Sequence, residues 1–478
     1  MEASWVSLLP FLVVIPIAVL SKQIIPGLFV GLLLGCYLIQ PNFFGGIKTF
    51  ITSIVDNLVI TNNIRIIIFL YVFAGLISLT KMTGGIKGFV NLVGRKVKTE
   101  RAAMILIWLS TIGTFNNPNF RIVTIAPIMK LLKQRLPISP YKLGFVIEVT
   151  SNPVVVLVPI ATAFVGYMVS LITTALQLVG LDEIPYSVFI SSLPYNFFSL
   201  VIIGIGIYYS FFYKYSFFPN YSSNPLDSGI EDLKAQEKED ELRKCLEAYE
   251  KDTPSRPWNL LLPLSIVLAG TLFLSWWDGH AQASSFFDAF IKADALGAML
   301  EALFITLILS LFFFLVQGFS VRKLVTHFID GGNELVSVIL MLTLIWALSA
   351  VSEDLGFSNY IASNLIDWIL PEYIAPVVFV LGSILAYFIG SSWGTWGLLM
   401  PLGVTLAHQT GSSIILVIGA VFASGTFGAF ASPLSDNTVT LCTILNLPLI
   451  AYARSKLIPS LIAAGITTLL YGIASLFI

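Results

Sequence analysis

Long apolar stretches separated by short polar ones organise the chain. A helix that crosses a membrane takes about 20 mostly apolar residues. Runs of that kind fall near 5–20, 25–40, 64–80, 188–213, 258–277, 295–317, 336–351 and 457–477. Four further stretches are apolar but interrupted. Those at 102–129 and 376–402 are too long for one helix and carry polar residues midway. Those at 143–178 and 414–440 are broken by Ser151, Asn152 and Pro153 and by SPLSDN at 432–437. No stretch alternates with period two, which argues against a β-barrel. The pattern predicts an all-α polytopic membrane protein. The first run lacks the basic start and small-residue cleavage site of a signal peptide and is expected to remain as a span.

One segment, 214–257, is polar. Within it EDLKAQEKEDELRKCLEAYEK reads as an exposed helix. Glu239–Arg243, Asp240–Lys244 and Glu247–Lys251 stand at i,i+4 with the acid first, the favourable order. It divides the chain into a first half (1–213), a cytoplasmic charged linker (214–257) and a second half (258–478).

The halves repeat. A shift of 274 residues brings Lys48 onto Arg322, Thr52 onto Thr326, Asp56 onto Asp330, Ser78 onto Ser352, Pro127 onto Pro401 and Pro159 onto Pro433. In the same register NNPNFR at 116–121 falls on GSSWGT at 390–395, and the break at 150–163 falls on 424–437. Charge gives the direction. The connection 81–101 holds Lys81, Lys87, Arg95, Lys96, Lys98 and Arg101, whereas its partner near 352–375 has no Lys or Arg. The connection 130–142 holds Lys130, Lys133, Arg135 and Lys142, and its partner 403–413 holds none. Basic loops stay in the cytoplasm. The repeat is therefore expected to be inverted, an organisation found in many secondary transporters. Basic loops on both sides of 102–129 make that segment a re-entrant hairpin, and symmetry makes 376–402 a second one. The expected total is ten spans and two hairpins in an inner (plasma) membrane, with both termini non-cytoplasmic. The stretches 83–99 and 357–370 are expected to lie along the membrane surface.

Backbone freed from helical hydrogen bonds is costly in lipid and survives only where protein or water covers it. Four broken elements related in pairs thus point to one covered midplane site. The hairpin tips supply Asn116, Asn117 and Asn119, then Ser391, Ser392 and Thr395. The unwound spans supply Thr150, Ser151 and Asn152, then Ser424, Gly425, Thr426, Ser435, Asp436, Asn437 and Thr438. Oxygen ligands of this kind suit a hard cation such as sodium, with Ser435, Asp436 and Asn437 as the expected ligands. Three ionisable residues, Arg121, Glu148 and Asp436, lie inside these elements. A charge at membrane depth costs at least about 2.5–3.5 kcal/mol on insertion scales, so each is a functional candidate. The alternative is a structural ion pair of Arg121 with Glu148 or Asp436. An acid that holds either a proton or a cation, and not both, suffices for antiport; Asp436 is the expected one. Elsewhere, Gly27, Gly31 and Gly35 form a small-residue face suited to close helix packing. Trp393 and Trp396 flank the second tip, as a gate or as core.

Composition narrows the class. Of 478 residues 56% are apolar and only 11% charged, with mean hydropathy +0.88. Lys and Arg number 26 against 27 Asp and Glu, so there is no bulk basic field for nucleic acid. Cys36, Cys245 and Cys442 form no CxxC pattern, and His280, His327 and His408 lie far apart. No nucleotide loop or metal-ligand spacing suggests an enzyme, and no filter motif suggests a channel. No cofactor is expected beyond a coupling ion.

GSSWGTWGLLMPL at 390–402, followed by ASPLSDNTVTLC at 431–442, resembles the NhaC-type sodium/proton antiporter family of the ion transporter superfamily. Ser391, Trp393, Gly394, Thr395, Ser435, Asp436 and Asn437 match the motif positions. The resemblance implies a homodimer in which a fixed scaffold carries a transport domain that moves like an elevator. It also implies sodium/proton exchange. The alternative on the same scaffold is a coupled carrier of a small organic acid or amino acid, with Arg121 as a bidentate carboxylate clamp.

Overall fold

The computed structural model describes residues 5–21, 23–94, 97, 99–114, 118, 121–122, 125–126, 129–130, 138–159, 162–212, 254–281, 283, 285, 289, 293–357, 359–360 and 370–477. All regular structure among them is helical. The charged helix expected within 214–257, the first hairpin tip at Asn116, Asn117 and Asn119, and most of 357–370 lie outside these residues.

In the first half the helices are α1 (Leu9–Ser21), α2 (Ile24–Ile39), α3 (Phe43–Leu58), α4 (Thr61–Met82), α5 (Gly85–Gly94), α6 (Glu100–Thr114), α7 (Pro140–Val149), α8 (Asn152–Val155), α9 (Ala163–Leu178), α10 (Pro185–Ser192) and α11 (Phe197–Phe211). The second half contributes α12 (Trp258–Gly279), α13 (Ala295–Val316), α14 (Val321–Asn333), α15 (Val336–Asp354), α16 (Ile374–Ile389), α17 (Ser392–Thr410), α18 (Ile414–Ala431), α19 (Asp436–Leu445) and α20 (Leu449–Ala474). Seven described segments are long and apolar enough to cross a membrane, and nine if two bent pairs each count as one. One bent pair is α2 with α3, which turn by 120°. Two stretches expected to span, Trp5–Ser21 and Ala163–Leu178, are shorter apolar helices.

Helix α18 is the hub. Leu416 through Ala431 are all buried, as a helix that is apolar all round must be. It packs on α16, α17, α8, α10, α11, α19 and α20. Outer helices show the converse pattern: Ile305, Ile308, Leu309 and Phe312 of α13 are exposed, a lipid-facing surface. The glycine face of α2 lies against α1 of the same chain, where a Cβ on Gly31 would sit 2.6 Å from the Pro10 carbonyl oxygen.

Two helices are amphipathic at the surface. Helix α3 packs on α15, and α14 packs on α4. Each leaves an apolar stripe exposed, Ile47, Ile51 and Val55 on α3 and Val321, Val325 and Ile329 on α14. Polar residues follow each stripe by one position, Lys48, Thr52 and Asp56 on one and Arg322, Thr326 and Asp330 on the other, all exposed. Helix α5 packs against α4, α6 and α12.

Candidate functional site

The first broken span behaves as its sequence dictates. Helix α7 stops at Val149, Ser151 leaves helical geometry, and a single turn, α8, follows before α9 begins at Ala163. Pro153 sits in the first turn of α8, where a missing N–H is tolerated; the same missing N–H cannot bond back to Val149, so the α7 ladder does not run through the break. Thr150 directs its hydroxyl to the Val146 carbonyl at 2.8 Å, and Ser151 directs its own to Ile147 at 2.6 Å. Asn152 is buried, and neither polar atom of its side chain has a hydrogen-bond partner among the described residues.

One turn before the break, Glu148 is buried with an ion-pair partner from the far end of the chain. Lys456 Nζ lies 2.8 Å from both carboxylate oxygens. Thr438 donates its hydroxyl to Oε1 at 2.8 Å and accepts from Lys456 at 2.6 Å. Tyr452 donates to Oε2 at 2.6 Å. Lys456 also lies 5.4 Å from the Phe430 ring centre and 5.1 Å from that of Tyr452, within cation–π range. Both charges are therefore desolvated yet fully partnered, the condition under which a buried pair is tolerated. Sequence reading had joined Glu148 and Thr438 to the site but missed Lys456 and Tyr452. A span drawn from 457 by hydropathy leaves Lys456 just outside it. In the structure α20 starts at Leu449, and Tyr452, Lys456 and Ser460 share one buried face at i, i+4, i+8. Lys456 thus joins Arg121 and Glu148 as a third buried charged side chain among the described residues.

Arg121 is fully buried and pairs with neither Glu148 nor Asp436. Its described partners are neutral oxygens. Nη1 donates to Thr114 Oγ1 at 2.7 Å and Ser110 Oγ at 3.3 Å. Nη2 donates to the Ile107 carbonyl at 2.5 Å and Thr150 Oγ1 at 2.7 Å, and Nε donates to Thr150 Oγ1 at 3.3 Å. Residues 107, 110 and 114 stand at helical spacing on one face of α6. Each hydroxyl sends its own proton to a backbone carbonyl, Ser110 to Ile107, Thr114 to Ser110 and Thr150 to Val146, so lone pairs face the guanidinium. All five N–H groups of an arginine are then matched. The ion pair considered from sequence is absent from this set because four hydroxyl and carbonyl oxygens already fill the fork.

The second half keeps the turn but not the long break. Helix α16 ends at Gly390, whose φ of 75° is left-handed, and Ser391 caps α17 by accepting from the Gly394 N–H at 3.3 Å. Ser392, Gly394 and Thr395 are buried, and Thr395 bonds the Ser391 carbonyl at 3.0 Å. The Trp393 carbonyl accepts from the Tyr167 hydroxyl. Trp393 and Trp396 form one aromatic cluster with Phe164 and Tyr167, with Trp393 only 4.6 Å from Phe164 between ring centres. Trp396 is fully buried and donates to the Phe422 carbonyl at 3.0 Å, so it is core.

Ser424, Gly425 and Thr426 correct the expectation of an unwound span. They lie inside continuous helix α18. Ser424 bonds the Val421 carbonyl and Thr426 the Phe422 carbonyl, both at 2.8 Å, which lets hydroxyls stay in a helix without breaking it. The helix ends only at Ser432, next to Pro433. Ser435 is buried and bonds the Ala429 carbonyl at 2.6 Å. Asp436 opens α19 and is exposed, unlike Arg121 and Glu148, and Asn437 is half-buried. Among the described residues no three His, Cys, Asp or Glu side chains group to hold a metal ion.

The site thus has two buried polar centres, Glu148–Lys456–Thr438–Tyr452 and Arg121–Thr150–α6, two residues apart along α7 and its break. Ser391–Thr395 pack instead against Tyr167, Phe164 and Ile24.

Solved transporters share this fold. The chain superposes on Neisseria gonorrhoeae MtrF, described among antimetabolite efflux pumps, with a TM-score of 0.64 at 12% identity, covering 90% of this chain and 84% of that one. Alcanivorax borkumensis YdaH gives 0.58 at 13% identity, covering 90% and 88%. An uncharacterized protein of Haemophilus influenzae is 24% identical over 456 residues, 91% of this chain and 84% of that one. The malate-2H(+)/Na(+)-lactate antiporter of Bacillus subtilis is 27% identical over 180 residues, 36% of this chain and 37% of its own. The arginine/ornithine antiporter ArcD of Halobacterium salinarum is 29% identical over 151 residues, 31% of each. The family model described as the Na+/H+ antiporter family matches residues 154–476, well over half of the chain. On that match, this multi-pass membrane protein is a secondary transporter and belongs to the Na+/H+ antiporter family, as its second-half motifs led one to expect.

Proposed function

We propose that the protein exchanges sodium for protons by elevator-type alternating access, as a homodimer in the inner membrane with both termini non-cytoplasmic. The observation that carries the reading is the convergence of the two breaks. Thr438, three residues past Ser435, bonds Glu148 at the first break at 2.8 Å. Asp436 opens the same helix with Ser435 and Asn437 beside it, and these oxygens suit sodium. The exposed carboxylate of Asp436 takes either a proton or the cation, and this competition couples the two flows.

The elevator reading draws on the inverted repeat read from the sequence, and the helix starts support that repeat: α6 begins at 100 and α16 at 374, an offset of 274, and α9 and α19 begin at 163 and 436, within one residue of it. The exposed stripe Ile47, Ile51 and Val55 recurs at that offset as Val321, Val325 and Ile329. Helix α3 packs on α15 while α14 packs on α4, the crossed pairing that a two-fold relation gives.

Purified protein in liposomes tests this. An imposed sodium gradient should drive proton flux in the opposite direction, and Asp436→Asn should abolish it. Absence of sodium-driven proton flux, or an unchanged Asp436→Asn variant, would refute the exchange.

A second reading, a coupled carrier of a small organic acid or amino acid, draws on Asn152. Among the described residues its buried amide has both donor and acceptor capacity unused, which suits a solute better than a bare ion. Counterflow of malate, lactate or arginine in the same liposomes separates the readings. The bidentate clamp formerly open to Arg121 has no spare N–H here.

A further inference from the structure

We infer that Arg121 is a resident cation: its guanidinium permanently fills an all-oxygen shell between the first hairpin and the first break, so that the mobile coupling ion is held only at the second break. This rests on the reading of the protein as a cation-coupled transporter.

The shell consists of Ser110 Oγ, Thr114 Oγ1, Thr150 Oγ1 and the Ile107 carbonyl, at 2.5–3.3 Å from the guanidinium nitrogens. Hydroxyl and carbonyl oxygens with their lone pairs turned inward are the donor set that a hard cation takes. Here the same oxygens face a cation that is covalently attached and never loses its proton. The three hydroxyls are aligned by bonds to their own helices, so the shell is preorganised rather than collapsed onto whatever fills it.

The other half has no counterpart. At the offset of 274, Arg121 falls on Thr395, and the shell positions 107, 110 and 114 fall on Leu381, Ile384 and Phe388, all three apolar and exposed. The position of Thr150 falls on Ser424, whose hydroxyl stays within its own helix. Near residue 424 the junction is instead closed by direct packing: a Cβ on Gly382 would lie 2.4 Å from Ser424 Oγ. Both hairpin–span junctions are therefore shut, one by a tethered cation and one by close contact. The exchangeable-ion site of the proposed function, Ser435, Asp436 and Asn437, lies instead near the exposed end of the second break.

Chemical rescue tests this without relying on transport. In Arg121→Ala the melting midpoint should fall and then rise saturably with millimolar guanidinium, which wild-type protein should not show. Tetramethylammonium, with no N–H, should not substitute. Sodium should raise the midpoint of wild type and of guanidinium-loaded Arg121→Ala alike, and lose that effect in Asp436→Asn. Arg121→Gln, prepared in parallel in case the alanine variant does not fold, keeps N–H donors without charge and should remain destabilised. The inference is overturned if Arg121→Ala ignores guanidinium, if Arg121→Gln matches wild type, or if the sodium response vanishes from Arg121→Ala while guanidinium still binds. Failure of wild-type protein to move protons on a sodium gradient would instead remove the antiport reading and leave the guanidinium result standing.

Discussion

Replacing Lys456 with methionine is the most discriminating perturbation of the buried core. Methionine has similar length and keeps favourable contact with the Phe430 and Tyr452 rings through its sulfur. What is lost is an ammonium held at 2.8 Å by each Glu148 oxygen and at 2.6 Å by Thr438. Both charges are buried, Lys456 to 0% exposure and Glu148 to 2%, so water does not replace the lost partner. Breaking a buried pair from one side costs about 3–5 kcal/mol. Thr438 and Tyr452 still donate to the carboxylate, which sets the expectation at the lower end, about 3 kcal/mol. Adding Glu148→Gln removes the orphaned charge, and exchanging both partners of a buried pair is often close to neutral. The double variant should therefore recover about 2 kcal/mol or more of coupling. Chemical unfolding in micelles, followed by tryptophan fluorescence across the four proteins of the cycle, measures it. Single variants indistinguishable from wild type, or penalties that simply add in the double variant, would refute the assignment of this pair as the main lock between the breaks.

Two further outcomes follow from the packing. Gly425→Ala puts a methyl 2.2 Å from Trp396 Nε1 and must displace the indole from the Phe422 carbonyl; a loss of about 1–3 kcal/mol in the same unfolding assay is expected. Asn152→Ala removes an amide that has no partner among the described residues, so stability should stay within about 1 kcal/mol of wild type while apparent affinity for the transported species falls in concentration-dependent uptake.

Much of this was legible in the chain because lipid allows few structures. The long helices, the turn at Gly390–Ser391 and the first break at Ser151–Pro153 all follow from apolar length and from proline. Burial of Arg121, Glu148 and Thr150 also follows from their place inside apolar stretches. The second break was overdrawn, because Ser424 and Thr426 read as polar interruptions when their hydroxyls bond back to their own helix. Lys456 was missed for the opposite reason: hydropathy trimmed α20 at a charge that the structure buries. The partners of Arg121 were present as Ile107, Ser110 and Thr114 at helical spacing, a signal visible only once a buried cation is looked for on that face. Asp436 stood in the expected segment but is exposed, a matter of which way the first turn of α19 faces.

The two buried charges of the first half also differ in when their partners exist. Arg121 finds Ser110, Thr114 and Ile107 within 14 residues upstream and Thr150 only 29 downstream, so its shell closes almost as soon as it is made. Glu148 waits for Lys456, 308 residues later. At about 5–20 residues per second, ribosomal synthesis leaves that carboxylate without its ammonium for roughly 15–60 s. Burying a polar group without its partner is costly, so the Glu148 cluster is complete only once α20 is in place. The contacts that close the Glu148 cluster thus form only after α20 has been made. Loss of α20 removes Lys456 and Tyr452 together and leaves the Thr438 hydroxyl as the contact of Glu148 across the two breaks.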